Sequence, residues 1–75
     1  MEERVMKVLD EINDEIRDYS GDNLFEAGLL DSFLVIDLVS ELEEEFDIEI
    51  NAKYVLEENF KTKEAIINLI KKITE

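Results

Sequence analysis

Cysteine and histidine are both absent from the 75 residues. Without cysteine there is no disulfide framework and no thiolate metal site. Without histidine the chain lacks the commonest general base and the commonest transition-metal ligand. Proline is missing too, and glycine occurs only at Gly21 and Gly28. Few sharp breaks are therefore encoded, and a mostly helical chain is expected. Long apolar runs are also lacking: "FLVI" at 33–36 is far too short to cross a bilayer. The start, "MEERVMKVLDE", has no apolar signal segment, which suits a cytoplasmic protein. Such a length gives one small domain, residues 1–75, with room for one compact core.

Positive charge is missing from one long interval. Residues 18–52 contain no Lys or Arg and hold 11 of the 21 acids, so they carry −11 of the net −13. Nucleic acids and anionic membranes would be repelled by this segment. A basic protein surface would be attracted to it.

Apolar periodicity predicts the elements. Val5, Val8, Leu9, Ile12 and Ile16 form one stripe of a helix over 2–19, with Met6 as flanking core filler. "YSGDN" ends that helix, with Gly21 expected in a left-handed conformation. A long loop over 20–31 comes next, anchored by Leu24, Phe25, Leu29 and Leu30, with Gly28 allowing a turn. A second helix over 32–46 turns Val35, Leu38, Val39, Leu42 and Phe46 inward. Asp37, Ser40, Glu41 and Glu44 occupy its other side, and so does Phe33, which core packing does not explain. Leu34 and Ile36 lie at the flanks.

"DIEINA" at 47–52 reads as an extended connector, because no other segment is available to pair with it as a strand. Asn51 is suited to cap a short helix over roughly 52–58, packed through Val55 and Leu56. Phe60 anchors the next loop. Thr62 caps a last helix with the stripe Ile66, Leu69, Ile70 and Ile73, and Lys71 and Lys72 suit its negative end. The expected fold is an all-α bundle of three longer helices and one short one. No spare apolar stripe is left for self-association, so a monomer is expected.

The residues argue against catalysis. A nucleophilic serine needs a base and a group to orient it. Ser32 has no histidine to serve it, and the lysines cluster in the C-terminal third. "GLLDS" is not the G-x-S-x-G elbow of hydrolases. Calcium binding fares little better. The window "DYSGDNLFEAGL" has Asp18, Ser20 and Asp22 at the first ligand spacings, but Asn23 and Leu29 stand where glycine and glutamate are needed. Ser32 and Asp31 are each suited to cap the second helix, which leaves one of them free. A phosphoester on a hydroxyl there would meet free N–H groups and the positive dipole end.

The stretch "LFEAGLLDSFLVIDLVSELEEEFDIEI" resembles the acyl carrier protein superfamily, whose motif is Asp-Ser followed by Leu or Phe at the start of the second helix. The resemblance extends over the whole chain. "LFEAGLLDSF" and "NFKTKEAIINLI" are most similar to stand-alone D-alanyl carrier proteins. It implies that Ser32 receives covalent 4′-phosphopantetheine from a phosphopantetheinyl transferase, with Asp31 helping to present it. The arm's thiol would carry an acyl or aminoacyl group, so the chain itself needs neither base nor cysteine.

The resemblance also implies that the second helix docks an adenylating ligase or acyltransferase with a basic surface. Asp37, Glu41 and Glu44 would steer the encounter, and Phe33, Leu34, Ile36 and Val55 would give local contact. Two departures stand out. Leu34 occupies a position that is acidic in many fatty-acid carriers, and Asn51 replaces a common proline that, like Asn, can begin a helix. The rival reading is an unmodified acidic adaptor for a basic partner.

A net charge of −13 on so short a chain opposes compaction through self-repulsion. Added salt is expected to raise the melting temperature. A midpoint that stays constant or falls as salt is added would contradict this.

Overall fold

The computed structural model describes residues 1–75 and is all-helical. Helix α1 spans Glu2–Ile12, α2 Ser32–Phe46, α3 Glu57–Phe60 and α4 Lys63–Thr74. Single 3₁₀ turns lie at Asp14–Ile16 and Ala52–Tyr54. Three longer helices, one short one and a long loop between the first two reproduce the predicted architecture. "DIEINA" forms no strand. Ile50 is buried and Ile48 half-buried, so the connector is pinned to the core.

Helix α1 is shorter than expected. Asn13 adopts an extended conformation, with φ −162° and ψ 110°, and stops the helix. Its Oδ1 accepts from the Glu15 amide at 3.0 Å, an Asx-type cap that starts the 3₁₀ turn. The turn brings Ile16 back to the core, where it is fully buried. The apolar stripe thus continues past a helix that has already ended. Arg17 clamps this turn to α1 through Asp10 at 2.8 Å and Glu3 at 3.1 Å. Those hydrogen bonds, first to Asp10 and then to Glu3, hold its guanidinium even more firmly protonated than usual.

Gly21 does not take the left-handed conformation. The residues with positive φ are Gly28 (79°) and Asp47 (52°). Gly21 is needed for space instead, because a β-carbon there would collide with the Tyr19 ring and hydroxyl. That hydroxyl bonds both the carbonyl and the amide of Asn23, closing the start of the loop. Asp47 provides the left-handed cap of α2 without glycine.

The expected short helix over 52–58 is two pieces. Asn51 caps the 3₁₀ turn by accepting from the Lys53 amide, and α3 begins only at Glu57. Val55 and Leu56 lie between the pieces. They remain 37% and 49% exposed, so they do not pack as expected. Thr62 caps α4 by accepting from the Ala65 amide at 3.0 Å.

The core joins all the longer helices. Val5, Val8, Leu9, Leu38, Leu42, Ile66, Leu69 and Ile70 are buried, together with Leu24 and Leu30 from the loop and Phe60 from α3. Val39, Phe46, Met6, Ile12 and Ile73 pack at its margin, half-buried. No polar or charged residue is buried. The α1–α2 seam is closed at the surface by Arg4, which bonds the Glu45 carboxylate at 2.9 Å and lies 4.5 Å over the Phe46 ring.

Truncating Leu38, fully buried, to Ala is expected to cost about 2–5 kcal/mol. The half-buried Val39→Ala change should cost clearly less. Urea unfolding of both variants checks this ranking, and equal costs would contradict the packing described.

Candidate functional site

The site forms where the long loop turns into α2. That loop is held from three sides. The Leu24 amide donates to the Lys61 carbonyl at 2.7 Å, tying it to the α3–α4 junction. The Leu24 carbonyl accepts from both the Leu29 and Leu30 amides, which closes the turn at Gly28. From the other side, the Asn13 side-chain amide donates to the Leu29 carbonyl at 3.3 Å. Asn23 caps the intervening turn through bonds from the Phe25 and Glu26 amides. With Leu24 and Leu30 buried, the loop is a fixed mount for the start of α2.

Asp31 is the helix cap. Its backbone is extended, with φ −148°, and its Oδ1 accepts from the Leu34 amide at 2.9 Å. Its carbonyl accepts from the Val35 amide. Ser32 is therefore the first residue inside the helix, and its exposed hydroxyl is not needed as a cap. The ambiguity between the two residues is resolved in favour of Asp31. The amides of Ser32 and Phe33 belong to the first turn, where no intrahelical acceptor exists. No acid lies within that turn. The helix end thus offers free donors and a positive dipole beside an exposed hydroxyl.

Around this point α2 is apolar and exposed. Phe33 is 79% exposed and Ile36 62% exposed. Leu34 is half-buried against the core, so only part of its side chain faces outward. At about 100° per residue, Phe33, Asp37, Ser40 and Glu44 fall within about 60° of one another. Glu41 lies beside this face and is half-buried, while Asp37 and Glu44 are exposed. The acids of α2 divide by contact. Glu43 accepts from the Ile50 amide at 2.8 Å, and Glu45 pairs with Arg4. Asp37, Glu41 and Glu44 enter no ion pair.

Ser32, Ile36 and Val55 meet around a shallow groove of about 540 Å³ between α2 and the segment leading into α3. Phe25, Val35, Leu56 and Phe60 complete its apolar walls, and Glu57 also lines it. Phe33 stands outside the groove on the outer face. The sequence marks no obvious pocket in the bundle, so the groove is a finding of the structure alone. Its one trace in the sequence is the Val55–Leu56 pair, which fits neither neighbouring stripe.

A three-member acidic cage is not formed anywhere. In the candidate calcium window, Asn23 uses its side-chain oxygen to cap the Phe25 turn.

Residues 3–70 match the family described as "Phosphopantetheine attachment site". The chain belongs to the acyl carrier protein superfamily. Its cofactor is covalently attached 4′-phosphopantetheine. The chain is 33% identical over 73 residues to a D-alanyl carrier protein of Bacillus cereus (strain B4264), covering 95% of this chain and 92% of the relative. A D-alanyl carrier protein of Bacillus anthracis (strain CDC 684 / NRRL 3495) matches with the same identity and coverage. No solved structure matches the chain significantly. No helix is long and apolar enough to cross a membrane.

Removing the cap by Asp31→Ala is expected to cost about 0.5–2 kcal/mol, while Ser32→Ala should be close to neutral. Urea midpoints of the two variants check this. A Ser32→Ala loss as large as that of Asp31→Ala would show that the serine is the cap.

Proposed function

We propose that residues 1–75 form one non-catalytic carrier domain, with the 4′-phosphopantetheine arm attached through the Ser32 hydroxyl. The observation that carries this reading is the division of labour at the start of α2. Asp31 does the capping, and Ser32 remains exposed beside free amides. The group fits there: the phosphodiester falls at the positive end of α2, and the donor set is neutral backbone. When bound, the group supplies a thiol that carries an acyl or aminoacyl group as a thioester. The chain's own residues hold its attachment point on a fixed loop and present it to other enzymes.

Those enzymes are a phosphopantetheinyl transferase and an adenylating ligase or acyltransferase with a basic docking surface. Asp37, Glu41 and Glu44, left without ion-pair partners, speed the encounter through long-range attraction. Phe33, Ile36 and Val55, with the outer part of Leu34, provide apolar contact. Burying a large exposed aromatic such as Phe33 favours complex formation by about 25 cal/mol per Å² removed from water. The likeness to D-alanyl carrier proteins supports an aminoacyl cargo. A cytoplasmic monomer fits this role, since the transferase draws on coenzyme A and the ligase on ATP.

Incubation with coenzyme A and a promiscuous transferase is expected to add the mass of one phosphopantetheine. The Ser32→Ala chain should gain nothing. No gain in the parent chain, or an equal gain in the variant, would favour the unmodified acidic adaptor instead.

A further inference from the structure

The groove beside Ser32 is apolar except for one charge. Phe25, Val35, Ile36, Val55 and Leu56 wall it, and Glu57 is the only ionisable residue that lines it. Glu57 enters none of the ion pairs in the structure, which join Arg4 to Glu45, Arg17 to Glu3 and Asp10, and Lys71 to Glu2. It is a carboxylate without a counter-ion, sharing a groove with the hydroxyl proposed to bear the arm.

We propose that Glu57 is the counter-charge for the ammonium of an aminoacyl group carried on the arm. The inference rests on the carrier reading of Ser32. Ile36 and Leu56 are 62% and 49% exposed, so the groove presents apolar wall that the carbon atoms of a carried group can cover. A small side chain with a cation gains on both counts. Its apolar atoms lie against Ile36 and Leu56, and its charge meets the one carboxylate present.

The effect is modest, because Glu57 is exposed. A surface ion pair of this kind corresponds to about a two- to fivefold change in the groove-bound population. That is enough to bias where the cargo rests without locking it away from a partner enzyme.

The test uses the modified full chain. Two arms are attached enzymatically from coenzyme A analogues with nitrogen in place of the thiol sulfur. One ends in a D-alanyl amide and the other in an isobutyryl amide, in which a methyl group replaces the ammonium. Amide chemical shifts of Val55, Leu56 and Glu57 report groove occupancy. The D-alanyl form should shift them further, by about two- to fivefold in bound population. Glu57→Gln should erase the difference, Glu57→Asp should keep much of it, and added salt should reduce it. Equal shifts for the two arms, or a difference that survives Glu57→Gln, would overturn the proposal while leaving the carrier reading intact. A chain that gains no mass with either analogue overturns the carrier reading, and this inference with it.

Discussion

The hydrogen bond from the Leu34 amide to the Asp31 carboxylate organises the site. It starts α2 at Ser32 rather than one residue later, and it satisfies an amide that would otherwise lack an acceptor. Because the aspartate does this work, the serine hydroxyl faces solvent. The loop before it makes the placement permanent. Leu24 and Leu30 are buried, and backbone bonds tie the loop to Lys61 while Asn13 ties it to α1. A loop held only at its ends would wander, and here the ties to Lys61 and Asn13 and the two buried leucines fix it.

The charge on α2 runs against its own dipole. Glu43, Glu44, Glu45 and Asp47 crowd the negative end, and no base lies in the last turn. The structure offsets part of this. Glu43 accepts from the Ile50 amide, and Arg4 binds Glu45 while stacking on Phe46. Asp37, Glu41 and Glu44 are left uncompensated. Of these, Glu44 lies in the last turn, where the helix dipole disfavours it and no ion pair offsets it.

Much of this is legible in the sequence, and the differences have physical causes. Helix α2 can be read from Ser32 to Phe46 because cap, stripe and acidic face all agree there. Helix α4 is equally plain for the same reason, with Thr62 as cap. The end of α1 is hidden because its stripe continues: Ile16 returns to the core through a 3₁₀ turn, and the period masks the stop at Asn13. Gly21 suggests a left-handed residue because glycine usually signals one. The actual need is room for the Tyr19 ring, and the left-handed residue at the end of α2 is Asp47. The groove is the least legible feature. It arises from Phe25, Ile36 and Leu56 meeting across the fold, and its one local mark is the Val55–Leu56 pair.

The central claim is that one hydroxyl, released from capping, is where the arm attaches. Fragment mass spectrometry of the enzymatically modified chain tests it most directly, since Ser20, Ser32 and Ser40 compete as acceptors. The account predicts that every phosphopantetheine-bearing fragment contains Ser32 and localises the group there. A group found on Ser20 or Ser40 would contradict it.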